Sequence, residues 1–262
     1  MDLGNDEGVS PRKMVVAVVA ACVMVAGSSC GVVSVSSGPT ESVAEPTAGD
    51  VIDSQSGPAD EGGVESTNGP GQASGCNEDG QTFASDVRLA RCLAEAFWTQ
   101  RFQASGASYR PVTEFVAYTG FDGPACGGEP SVPNNAFYCS DGHFIAFDAN
   151  WLEGLYQQLG DAAVYVVIPH EFGHAVQAQL VQNFNFSVER ELQADCYAGG
   201  TLSALIQAGQ LQAEDGDDVE VMNNLIAAGD PTDAWWEPGA HGTPERRQAA
   251  FVTGYQQGVG AC

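Results

Sequence analysis

The chain has 262 residues, is 44% hydrophobic and carries a formal charge of -25, with a sequence pI near 4.1 that reflects a shortage of bases, since Lys13 is its only lysine. So acidic a surface is repelled by phosphate backbones, which excludes nucleic acid as a partner; the charge speaks to solubility and not to fold. The length accommodates one ordinary domain with a real core.

Arg12 and Lys13 precede an uncharged apolar run from Met14 to Ala26, followed by the small residues Gly27, Ser28 and Ser29 and then Cys30. That order of basic flank, apolar core and small residues reads as an export signal. Residues 1–30 are therefore a signal or membrane-anchor segment. Cys30 is the lipidation candidate of a bacterial lipoprotein signal, and an uncleaved transmembrane segment is the alternative, because the uncharged stretch continues through Val32, Val33 and Val35. The expected location is the extracytoplasmic face of the cell envelope, with membrane contact through this anchor only. Residues 31–75 are dominated by Gly, Ser, Pro, Thr, Asp and Glu and contain no aromatic residue. Such a stretch cannot bury enough apolar surface to offset its ordering entropy and is expected to be a disordered acidic linker.

The folded domain is expected from 76 to 262. Cys76, Cys92, Cys126, Cys139, Cys196 and Cys262 form an even set in an exported chain, which reads as a disulfide framework. Fifteen pairings are possible; pairing chain neighbours joins Cys76 to Cys92, Cys126 to Cys139 and Cys196 to Cys262. Ser85 and Asp86 are candidate caps of a helix whose apolar side holds Val87, Leu89, Leu93, Phe97 and Trp98. Thr113 to Thr119 and His143 to Asp148 read as strands, with a loop from Gly120 to Asp141 between them. Helices are predicted over Asn150 to Leu159 and from near Asp161 to about Gln182. Another is predicted behind Ser187, and a last one opens at Thr243-Pro244-Glu245. The predicted class is α+β, mainly helical with a small sheet.

The candidate chemistry lies in His170-Glu171-Phe172-Gly173-His174. Residues four apart stand on one helix face, so both imidazoles can reach one Zn²⁺ while Glu171 projects beside an open position as a general base. A hydrolytic zinc site needs a third protein ligand and a partner that orients an imidazole. Glu191 and Asp195, again four apart, supply them: Glu191 as ligand, Asp195 as acceptor for the far nitrogen of His170. Glu189 is the rival ligand, but Gln193 sits where its acidic partner would be.

These motifs, together with Phe137-Tyr138-Cys139, Ile145-Ala146-Phe147-Asp148, Cys196-Tyr197-Ala198-Gly199 and His241-Gly242-Thr243-Pro244-Glu245-Arg246-Arg247, resemble the bacterial neutral zinc metallopeptidase family. The resemblance implies a zincin-like domain of the gluzincin kind, with two His and one Glu on zinc, exported behind an N-terminal membrane segment. His241 is a candidate oxyanion donor and Tyr197 a weaker one; His143 is expected to be a strand residue without a catalytic part. The expected activity is hydrolysis of a peptide or protein substrate. Two alternatives stand beside it: a non-catalytic, metal-stabilised surface lipoprotein that binds a protein or envelope partner, and an amidase acting on peptidoglycan peptides.

Overall fold

The computed structural model describes residues 76–262. The expected signal or membrane-anchor segment with the lipidation candidate Cys30, and the expected linker, lie outside the described residues. Six helices and a three-stranded mixed sheet make up the described part, an α+β arrangement in which helices dominate. Among the described residues no helix is long and apolar enough to cross a membrane.

Helix α1 (Phe83–Ala104) begins earlier than predicted. Its cap is Thr82, whose side chain accepts from Ser85 N while Ser85 Oγ accepts from Thr82 N. Asp86 is not a cap. It is buried, burial raises its pKa, and it accepts hydrogen bonds from Tyr165 Oη at 2.7 Å and Tyr156 Oη at 3.1 Å. Strand β1 (Phe115–Tyr118) runs parallel to β3 (Phe144–Asp148), and β2 (Ala136–Cys139) pairs antiparallel with β3, so the order is β1-β3-β2 with β2 at an edge. The stretch expected to be loop therefore hides a strand. Its four residues are too few to show a period among the glycines, prolines and asparagines around them. His143 precedes β3 with a left-handed φ of 54°. Both of its ring nitrogens are engaged, by Tyr138 Oη at 2.8 Å and the Arg110 carbonyl at 3.0 Å.

Helix α2 (Ala149–Leu159) is capped by the Asp148 carboxylate, which accepts from the backbone N–H of Asn150 and Trp151. Helix α3 (Ala162–Gln179) carries the central core. Val164, Ile168, Phe172, Ala175 and Val176 pack against Trp98 and Phe102 of α1 and against Ile145 and Phe147 of β3. It ends before Gln182 because Val181 turns left-handed, with a φ of 52°. Helix α4 (Ser187–Gln207) lies against α3, and Gly173 is why it can lie so close: a Cβ there would stand 3.1 Å from Ala194 Cα. Helix α5 (Asp217–Ala227) was not expected from the sequence. Its buried stripe is only Val221, Asn224 and Leu225, although Asp217, Asp218 and Glu220 in its first turn suit a helix N-terminus. Helix α6 (Pro244–Gln257) closes over α4.

The α4–α6 contact is made through glycines. A Cβ on Gly254 would collide with the Cys196 carbonyl, and one on Gly199 would collide with Phe251 backbone. Backbone cannot swing aside as a side-chain tip can, so Gly254→Ala is expected to destabilise the fold by at least about 2 kcal/mol. Urea unfolding should then show a lower midpoint with an unchanged slope. Three disulfides secure the periphery, joining Cys76 to Cys92, Cys126 to Cys139, and Cys196 on α4 to Cys262.

Candidate metal centre

Two helical turns from α3 and one from α4 meet at a single point. His170 and His174 stand four residues apart on α3, and Glu191 faces them from the second turn of α4. Glu191 Oε2 lies 3.2 Å from His170 Nε2 and 3.5 Å from His174 Nε2. One ligand atom from each of the three residues falls within 4.8 Å of the others. His170 and Glu191 are buried, and His174 is nearly so.

The far nitrogens decide what this arrangement can hold. His170 Nδ1 bonds to Asp195 Oδ1 at 2.8 Å, and His174 Nδ1 to Gln177 Oε1 at 2.8 Å. Gln177 Nε2 donates to the Arg190 carbonyl at 2.8 Å and to Gln193 Oε1 at 3.1 Å, which fixes its amide so that Oε1 faces the histidine. Both Nδ1 atoms must therefore be donors, and in the neutral form each ring turns a bare Nε2 lone pair toward a carboxylate oxygen. Lone pairs brought this close call for a proton or a metal cation between them. The same demand shows in the site's proton affinity. Burial pulls the His170 pKa down, but Asp195 and Glu191 more than offset it and push it up to about 10. Burial likewise opposes the charge on Glu191, yet the two imidazoles hold its pKa far below the carboxylate range.

Arg247 completes the support behind His170. Its Nε and Nη2 grip Asp195 Oδ2 and Oδ1 at 2.8 and 2.7 Å, and Nη1 donates to the Ala228 carbonyl. Burial opposes ionisation of Asp195, and Arg247 outweighs it, so the carboxyl pKa is lowered. Glu191 Oε1 is taken by Arg190 at 3.1 Å, which leaves Oε2 facing the two imidazoles.

Glu171 is buried beside the cluster, and its Oε2 has no hydrogen-bond partner. An ionisable oxygen left unpaired inside a protein is costly unless something else fills its coordination. The cluster opens onto a cleft of about 680 Å³, whose lining includes Glu171, residues 134–138 at and before β2, and His241. His241 is 53% exposed at its side chain, with Nδ1 3.4 Å from Asp230 Oδ1. Asp230 Oδ2 also accepts the backbone N–H of His241 and Gly242, at 2.6 and 2.8 Å.

Two sequence candidates find other employment. Glu189 accepts from the backbone N–H of Asn185 and Phe186 at the start of α4 and is not at the centre. Tyr197 is buried against Trp98, accepts from Gln182, and does not line the cleft. Four supporting residues had not been singled out: Gln177, Arg190, Asp230 and Arg247. Gln177, three residues beyond His174 on the same helix face, was the one within reach of spacing.

A family model described as putative neutral zinc metallopeptidase matches residues 51–184, a stretch that includes His170, Glu171 and His174 and stops short of Glu191. The chain is similar to the uncharacterized protein YpfJ of Escherichia coli (strain K12), 32% identical over 207 residues that cover 70% of each protein. It is also similar to the uncharacterized protein Rv2575 of Mycobacterium tuberculosis (strain ATCC 25618 / H37Rv), 31% identical over 170 residues, or 54% of this chain and 58% of that protein. No solved structure matches the chain.

Proposed function

Because the chain belongs to the putative neutral zinc metallopeptidase family, we propose that it is an exported zinc-dependent peptidase with His170, His174 and Glu191 as metal ligands and Glu171 as general base. The observation that carries this reading is the unpaired, buried Glu171 Oε2 beside two imidazole lone pairs and a carboxylate oxygen. The donor set suits zinc, which takes nitrogen and oxygen ligands from three side chains and leaves a position open in hydrolytic sites. A site that only stabilised the fold would have no use for a free carboxylate next to that position.

When bound, zinc would supply Lewis acidity, polarising the scissile carbonyl and easing loss of a proton from water. The chain's own groups do the rest. Asp195 and Gln177 fix the tautomer and tilt of the two imidazoles, so that only Nε2 is offered. Glu171 accepts the proton of the attacking water and delivers it to the amide nitrogen as the C–N bond breaks. His241, which lines the cleft with Nδ1 3.4 Å from Asp230 Oδ1, would in its protonated form offer Nε2–H to the carbonyl oxygen as charge builds on it. Strand β2 is paired to β3 on one edge and, among the described residues, to no strand on the other, and its residues 136–138 line the cleft, so an extended peptide could lie along it as an added strand. The disulfides suit an oxidising compartment, in keeping with a substrate met on the outer side of the membrane.

The test is elemental analysis of the purified full-length protein and its Glu191→Ala variant, run alongside cleavage of a broad peptide library. One zinc per chain and peptide cleavage are expected for the parent. Removing a direct ligand should weaken zinc more than the roughly 10–100-fold lost with an outer hydrogen-bond partner. Undiminished zinc retention in Glu191→Ala against the same chelator would remove Glu191 from the ligand set. Tight zinc without cleavage of any peptide would favour the non-catalytic binding protein.

A further inference from the structure

Beyond the metal centre, the structure exposes a run of aromatic rings that no core requires. Phe186, Trp235 and Trp236 are 37, 41 and 59% exposed, and they touch edge to face: ring centroids are 4.8 Å apart for Phe186 and Trp235, and 5.7 Å for Trp235 and Trp236. Three contacting aromatics at the surface form a patch that water penalises, and such patches mark binding sites. The rings are also held in place. Gly239 N donates to Ser187 Oγ, Arg246 pairs with Asp233 at 2.9 Å, and Asp230 grips the end of the same loop.

The occupant follows from continuity with the cleft. Phe184 and Arg190, on either side of Phe186 in the chain, both line it, and so does His241, five residues beyond Trp236. Glu191 lies five positions beyond Phe186, the residue that precedes α4, an axial rise of roughly 7.5 Å along the helix. An extended peptide crossing the centre would reach these rings roughly two to five residues from the scissile bond. A lipid surface is a poorer fit, because the carboxylates of Glu189, Asp230, Asp233 and Glu237 stand in the same two segments and repel anionic headgroups.

We propose that Phe186, Trp235 and Trp236 form a docking rim for apolar side chains of an extended polypeptide substrate, set two to five residues from the bond that is cut. The proposal rests on the peptidase reading, and it makes the enzyme one that prefers long, unfolded, apolar segments over short peptides. Each ring that receives an apolar side chain contributes through both area and edge-to-face geometry.

The experiment compares two fluorogenic peptides sharing one cleaved core, one flanked by Gly and Ser and one carrying Leu and Phe at the rim positions. The apolar peptide is expected to show about a tenfold higher kcat/KM, mostly through KM, which corresponds to the contact of one or two apolar side chains. In Phe186→Ser and Trp236→Ser that ratio should fall to about one, while zinc content and circular dichroism match the parent. The same two peptides are titrated into Glu171→Gln by fluorescence anisotropy. Rim-dependent binding without cleavage by the parent would uphold the rim and sink the peptidase reading. Cleavage of both peptides with a ratio that neither variant moves would sink the rim and leave the peptidase standing. The rim is equally overturned if these tryptophans respond to phosphatidylcholine vesicles and to neither peptide, or if Trp236→Ser changes only the sedimentation coefficient.

Discussion

Glu171→Gln is expected to lower kcat for peptide cleavage by about 10²–10⁴-fold while the protein keeps its zinc and its fold. The amide has nearly the shape of the carboxylate, so packing around this buried position is preserved, but it cannot take a proton from water. Because Glu171 lies outside the ligand cluster, metal content should be unaffected. Unfolding should also shift little, since Glu171 Oε2 makes no hydrogen bond that could be lost and the amide can turn its nitrogen to that position. Single-turnover kinetics with zinc analysis on the same sample read both halves. Wild-type turnover in Glu171→Gln would assign the proton transfer to another group, whereas lost zinc would make Glu171 part of the metal's hold.

The second large effect belongs to Arg247. Its guanidinium is the cation that makes a fully buried Asp195 tolerable, through two hydrogen bonds of 2.8 and 2.7 Å. Arg247→Met retains much of the side-chain volume but strands the carboxylate in the interior. Breaking a buried pair from one side costs about 3–5 kcal/mol, because the remaining charge loses its partner without regaining water. Chemical denaturation of the metal-free protein should show this deficit, and the Arg247→Met, Asp195→Asn double variant should recover part of it. A separate consequence is functional. Asp195 also holds Nδ1 of His170, so zinc affinity in Arg247→Met should fall by about 10–100-fold even where the variant is folded. A deficit below 1 kcal/mol with unchanged zinc affinity would show that Asp195 is secured by His170 alone.

Much of the centre was legible because its information is local. His170 and His174 are bound to share a face once the segment is helical, and the apolar run from Val164 to Ile168 makes it helical and buried. Glu191 and Asp195 obey the same four-residue rule on the next helix. The boundaries that failed did so for equally local reasons. Thr82 and Ser85 compete as caps within three residues, and Ser187 has the chemistry of a cap for α4 although Phe186 holds that position. Strand β2 and helix α5 are short, and their stability comes from partners distant in the chain: β3 for the strand, and α3 and α6 for the helix. Propensity summed over so few residues does not reveal them.

The sequence by itself determined the helical class, the spacing that puts two imidazoles and a carboxylate on facing turns, and the even set of cysteines behind the disulfides. Each of these follows from period and composition within a stretch of chain. Tertiary structure decided where the rival acid goes: Glu189 turns back to accept backbone N–H groups at the start of α4, while Glu191 faces the imidazoles. It also decided that Arg247 stands behind His170 through Asp195, and that Phe186 meets Trp235. Such pairings join residues some 50 positions apart. They depend on how closely α3, α4 and α6 approach at Gly173 and Gly254, and no local rule carries that distance.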